Sequence, residues 1–239
     1  MPKVLITGGA GFIGSHLAAS LAGKADVHVL DNLRSGFRHN LDGVAHTFHE
    51  GDIQERSLLD RVLEGVDFVF HLAAMISVPE SMEQPAECVR INTLGTLNVL
   101  EAAADAGVRK LVLSSTAAIY GDDPQLPKHE ALPPCPKSPY AVTKLDGEYY
   151  CRMFTETGRL QTASLRYFNV FGPRQNPRSA YAAAVPIFLH KALAGEPIVI
   201  HGDGGQTRDF VHVSDIVAAN WHVATTEATG TFNVANGAS

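Results

Sequence analysis

The sequence predicts a doubly wound α/β fold built on a parallel sheet. Three observations carry that reading. Short apolar, β-prone runs alternate with helix-patterned stretches along the chain. The first run joins its helix through a glycine turn, with Gly8, Gly11 and Gly14 in G-x-x-G-x-x-G spacing. Polar residues such as Ser114-Ser115-Thr116 fall at predicted strand ends, the edge where open α/β sheets bind ligands.

Residues 3–7 (KVLIT) read as the first strand and residues 15–22 as the first helix. Between them, Gly8 permits the tight turn, Gly11 lets the backbone approach a pyrophosphate, and Gly14 lets helix and strand pack closely. A second strand, residues 26–30, ends in Asp31, about 20 residues past the glycine turn. A carboxylate there grips adenosine ribose hydroxyls and repels a 2′-phosphate, favouring NAD over NADP. Arg34, close by, argues the other way. Strand, glycine turn, helix, strand and acid together predict a dinucleotide site.

Residues 46–50 form a third predicted strand, ending at Gly51-Asp52-Ile53. Asp52 either caps the next helix (residues 57–63) or meets the adenine amino group. Residues 67–70 (DFVF) are a fourth strand leading into His71-Leu72-Ala73-Ala74, where small residues suit close approach to a cofactor. Residues 85–106 carry a long helical pattern. Asn92 lies on it, either as a surface residue or as a support for active-site backbone.

Residues 110–113 are a fifth strand, with Ser114-Ser115-Thr116 after it. A hydroxyl here either bonds a substrate oxygen or merely satisfies the strand end. A proline-rich loop, residues 122–138, precedes the stretch Ser138-Pro139-Tyr140-Ala141-Val142-Thr143-Lys144. Tyr140 and Lys144 are one helical turn apart and project from one face. An ammonium beside a phenol lowers its pKa, and a tyrosine so tuned can accept a proton near neutrality.

Residues 161–168 are a sixth strand, followed by Asn169 and a Gly-Pro turn. A helix is expected over residues 182–193, a strand over 196–200, a turn over 202–205, a helix over 214–223 and a last strand over 231–234. Two regions follow: residues 1–168 as the dinucleotide-binding domain carrying Tyr140 and Lys144, and residues 169–239 as a substrate-binding region interleaved with it.

Composition narrows the function. With 239 residues and 45% hydrophobic content, one large α/β unit has ample core. The net charge is −6 and no basic block is present, which disfavours nucleic acid and anionic membranes. Three cysteines without metal spacing read as free thiols in a reducing compartment. No leader and no membrane-spanning run is seen, so a cytoplasmic location is expected. The 11 histidines form no HExxH cluster, and no metal is expected.

With these motifs placed, the chain resembles the extended short-chain dehydrogenase/reductases, and within them the nucleotide-sugar 4-epimerases of the UDP-glucose type. The resemblance implies a Rossmann-type sheet, NAD as cofactor and a UDP-hexose as substrate. It implies Tyr140 as the catalytic base, Lys144 as the group that lowers its pKa and binds the nicotinamide ribose, and Thr116 as partner of the reacting sugar hydroxyl. Gly8, Gly11, Phe12, Ile13, Asp31, Asn32, Asp52, Ile53, Leu72, Ala73, Ala74 and Asn92 would surround NAD. Asn169, Val185 and Arg208 would meet the substrate, with Asn169 and Arg208 on its diphosphate. The segment 181–186 resembles epimerases that accept N-acetylhexosamines. Helices around residues 87–106 and 140–155 would pair two copies into a homodimer. Related dehydratases and decarboxylases carry an acid after the Ser/Thr position, where this chain has Ala117 and Ala118. That ranks a 4,6-dehydratase below an epimerase, alongside a 4-ketoreductase and a non-catalytic NAD sensor as alternatives. Relatives continue past the position of Ser239, so a fragment with an incomplete sugar pocket is expected.

Overall fold

The computed structural model describes residues 1–176, 184–200 and 202–238. Nine strands are present among the described residues: β1 (Lys3–Thr7), β2 (Asp26–Asp31), β3 (Thr47–Glu50), β4 (Phe68–His71), β5 (Lys110–Thr116), β6 (Gln161–Tyr167), β7 (Asn169–Phe171), β8 (Phe210–His212) and β9 (Gly230–Val234). Seven make one sheet in the order β3-β2-β1-β4-β5-β6-β9, and β7 pairs with β8 in a small second sheet. Every pairing between these strands is parallel. This is the Rossmann-type doubly wound sheet, and its order reverses at β1.

Helices cover both faces, which is why the central strands are continuous apolar runs. The helices are α1 (Phe12–Leu21), α2 (Arg56–Val62), α3 (Val78–Glu83), α4 (Pro85–Cys88), α5 (Gly95–Asp105), α6 (Pro139–Glu156), α7 (Ala184–Ala194) and α8 (Val213–Thr225). Leu17 and Leu21 of α1 and Ile216 of α8 pack with Val4, Ile6 and Phe70 on one face. Leu59, Leu100 and Phe154, from α2, α5 and α6, pack with Leu5, Val69 and Leu111 on the other. Among the described residues no helix is long and apolar enough to cross a membrane.

Three local expectations need correction. The helix expected over residues 85–106 is α4 and α5 joined by a π-helical turn, Val89–Leu94. One extra residue in a turn leaves the apolar spacing nearly unchanged, so periodicity could not show it. Residues 196–200 are not a strand. Ile198, Val199 and Ile200 are exposed, and among the described residues no strand pairs with them. A β-prone run needs a pleated neighbour to lie against, and here it has none. Asp52 does not cap α2, whose N-cap is Glu55. Its carboxylate instead accepts from Gln54 N at 3.0 Å and from Asn32 Nδ2 at 2.9 Å.

Candidate active site

A cleft of about 440 Å³ opens at the carboxyl edge of the sheet, above β1. Gly8, Gly11, Phe12, Ile13, Asp31, Asn32, Asp52, Ile53, Leu72, Ala73, Ala74, Thr116 and Tyr140 all line it. Gly8 has φ +72°, and a Cβ there would lie 2.7 Å from Ala73 N. A Cβ on Gly14 would lie 2.3 Å from Gly8 O. These glycines keep the floor of the cleft low. The N-cap of α1 is Gly11, with no side chain to cap the helix. The first amides of α1 therefore face the cleft without intrahelical partners, a ready site for a diphosphate.

Asp31 closes β2 at the rim. Its carboxylate accepts from Ala10 N at 2.9 Å and from Leu33 N at 2.8 Å. Burial raises its pKa above the ordinary value, and those two amides work in the opposite direction. Each carboxylate oxygen can accept more than one bond, so capacity is left for a ribose diol. The donors along the glycine turn and the acid at the end of β2 fit a dinucleotide.

At the other end of the cleft, α6 is held against β5. Ser138 caps α6 by accepting from Ala141 N at 3.2 Å, and Pro139 occupies its first position. Tyr140, Lys144 and Glu148 recur one turn apart on a single face, and each meets one of three consecutive β5 residues. Tyr140 neighbours the Thr116 side chain in the cleft wall. Lys144 Nζ donates to Ser114 O at 2.9 Å. Ser115 Oγ donates to Glu148 Oε1 at 2.5 Å.

The electrostatics of the pair differ from the sequence expectation. Burial raises the Tyr140 pKa above that of a free phenol, with the neighbouring Thr116 hydroxyl acting against it. Burial lowers Lys144 to about 8, with the Cys88 and Cys151 thiols working the other way. A lowered Tyr140 pKa is thus not a property of the protein groups alone. Desolvation penalises both charged forms, and it is the largest cause of each shift.

Several supports were not singled out in the sequence. The Tyr140 backbone is held at both ends: its N–H donates to Ser81 Oγ at 3.2 Å, and its carbonyl accepts from Thr143 Oγ1 at 2.9 Å. His71, fully buried, links Thr7 Oγ1 at 2.7 Å to Thr96 Oγ1 at 2.9 Å. Arg166 grips the Glu148 carboxylate at 2.9 and 2.7 Å and donates to Tyr120 OH at 2.9 Å. No short-range spacing announces these contacts. A charged residue inside an apolar strand, such as Arg166, was the only available cue.

Asn92 does not line the cleft. It is 2% exposed, accepts from Met75 N at 2.8 Å and donates to Met75 O at 3.0 Å and Thr143 Oγ1 at 3.1 Å. Of the two readings left open for it, support of the active-site backbone is the one that matches. Lys144 is buried and does not line the cleft. Asn169, Val185 and Arg208 also stand apart from the cleft lining. Asn169 Nδ2 donates to Asp209 O at 2.9 Å, and Arg208 is exposed, with Nη1 donating to Thr207 O at 2.7 Å. Residues 181–183 of the segment 181–186 lie outside the described residues.

Residues 4–235 match the model of the NAD dependent epimerase/dehydratase family. The UDP-glucose 4-epimerase of Halalkalibacterium halodurans is 39% identical over 253 residues, covering 98% of this chain and 75% of that protein. The solved UDP-N-acetylglucosamine 4-epimerase of Methanobrevibacter ruminantium, in complex with UDP-N-acetylmuramic acid, superposes with a TM-score of 0.96 at 40% identity. It is covered over 99% of this chain and 77% of that one. The solved UDP-glucose 4-epimerase of Thermus thermophilus, in complex with NAD, gives a TM-score of 0.89 at 40% identity, covering 99% of this chain and 78% of that one. Cleft, sheet order and sequence agree: the chain belongs to the NAD-dependent epimerase/dehydratase family.

Proposed function

We propose that the chain is an NAD-dependent isomerase that inverts C4 of a UDP-hexose, interconverting UDP-glucose and UDP-galactose through a 4-keto sugar. The observation that carries this reading is the pairing of Tyr140 with Thr116 in the cleft wall, followed by Ala117 and Ala118. Tyr140 and Thr116 stand together in the cleft lining, the second cleft phenol, Tyr167, is engaged with Asn220, and the two alanines supply no acid for dehydration. Bound NAD supplies the acceptor and return donor for the hydride at the sugar carbon. Tyr140 Oη takes the proton from the 4-hydroxyl and later returns it. Thr116 orients that hydroxyl. Lys144, one helical turn on and anchored on Ser114 O, is the cation assigned to favour the charged form of the phenol. Asp31 holds the adenosine ribose, and Gly11, Phe12 and Ile13 meet the diphosphate of the coenzyme.

In this reading, residues 1–168 bind coenzyme and residues 169–239 carry substrate contacts, with β9 returning to the large sheet. Asn169 and Arg208 tether the sugar diphosphate while the hexose turns, and Val185 lies on the sugar side. A UDP-N-acetylhexosamine is the second reading, favoured by the resemblance to the Methanobrevibacter enzyme. The chain works as a cytoplasmic homodimer, a reading supported by its three free cysteines and by an exposed apolar face. That face comprises Val89 and Leu94 on one helical segment and Val142, Tyr149 and Met153 on α6. Nothing in its charge pattern suits nucleic acid or an anionic membrane.

The test offers UDP-galactose without added reductant and follows UDP-glucose. Tyr140→Phe should reduce turnover by at least ~10²-fold while NAD remains bound. Wild-type rates in that variant would remove Tyr140 from the reaction.

A further inference from the structure

The sequence carries two opposed signals for the coenzyme, Asp31 against a 2′-phosphate and Arg34 for one. The structure shows what becomes of the arginine. Asp31 pins the turn after β2 through Leu33 N, and Leu33 takes φ +59°. Arg34 is thereby set beside the ribose end of the cleft, which it lines. Its guanidinium is already engaged: Nη2 donates to Glu80 Oε1 at 2.8 Å and Nη1 to Glu87 Oε1 at 3.2 Å. Glu80 lies on α3 and Glu87 on α4, both after β4. The pairs run from the loop after β2 to the segment after β4, straddling β1. Glu87 is kept in place by Arg90, at 2.6 and 2.7 Å.

We infer that Glu80 and Glu87 are coenzyme-specificity determinants that occupy Arg34 and so deny a 2′-phosphate its cation. The inference rests on the dinucleotide reading of the cleft. Phosphate recognition by arginine uses a free planar fork. Here a 2′-phosphate would have to displace two carboxylates and would then face Asp31 as well. NAD makes no such demand, because its ribose needs only the Asp31 carboxylate. Asp31 therefore repels the phosphate, while the two glutamates remove its counter-ion.

The experiment is calorimetric titration of coenzyme-free protein with NAD and with NADP. In Glu80→Gln/Glu87→Gln, NADP should tighten by about tenfold or more, as expected for one charge-assisted bond gained, with NAD nearly unchanged. Unchanged NAD binding also reports that the variant is folded. Adding Arg34→Ala should abolish the gain. The inference is overturned if NADP affinity stays at the wild-type level in the double variant. It is equally overturned if the gain survives Arg34→Ala, because bulk charge would then be the cause. Wild-type protein that binds neither dinucleotide would refute the reading of the cleft itself, and this inference with it.

Discussion

Tyr140 and Lys144 are separated by one helical turn, yet their charges answer to burial more than to each other. Lys144 at about 8 loses its proton more readily than an exposed lysine, while Tyr140 holds its proton more tightly than a free phenol. The pair is poised rather than pre-ionised, and a bound cation or substrate hydroxyl completes the balance. His71 shows the same physics in a residue with no catalytic task. Burial between Thr7 and Thr96 takes its pKa from 6.5 to about 3, with Lys144 adding to the shift. Between those values the unfolded chain binds a proton that the folded chain does not. Its contribution to stability is present above the unfolded value and is lost as pH falls through that window, at ~1.4 kcal/mol per unit. Urea midpoints measured from pH 7 to pH 4 should fall steadily for the wild type. His71→Gln, with no proton to gain, should flatten that decline; an unchanged slope would assign it to other groups.

Two elements set the geometry of the cleft. In α6, the face repeating through Tyr140, Lys144 and Glu148 meets three consecutive β5 residues, so the helix cannot slide without breaking all three contacts. The buried Glu148–Arg166 pair locks the far end of that face, with side chains 5% and 7% exposed. The π-helical turn does the second job. Its extra residue aims Asn92 inward, where it closes both Met75 backbone bonds. Asn92→Ala leaves a buried N–H and a buried carbonyl without those partners, so ~1–3 kcal/mol of stability should be lost in denaturant unfolding. A variant as stable as the wild type would mean that Met75 finds other partners and that the brace is dispensable. The existence of this helical segment was legible from its apolar spacing. The π turn was not, because the side-chain pattern hardly registers one added residue.

In the assembled molecule, one group of exposed apolar residues lies on the α6 face opposite Lys144 and on the neighbouring π turn. Val142, Tyr149 and Met153 are 43%, 42% and 46% exposed, and Leu94 is 51% exposed. Such a patch suits self-association through paired helices. Sedimentation should give a dimer for the wild type and a monomer for Leu94→Lys/Met153→Lys, with NAD binding retained. A monomeric wild type would remove the dimer reading. The second region is organised differently from the first. Its β7–β8 ribbon stands apart from the large sheet, while β9 rejoins that sheet beside β6.

The doubly wound parallel sheet, the glycine turn, Asp31 and the Tyr140–Lys144 spacing were legible in the linear chain. Each depends on interactions within a few residues, or on a strand-to-helix unit whose packing is nearly obligatory. The partners of Arg34, Tyr140 N, Asn92 and Glu148 were not legible. Those contacts join groups 46, 59, 17 and 18 residues apart in the chain. Only the packed tertiary structure brings such groups within hydrogen-bond distance, and only desolvation in that interior decides which of them carry charge.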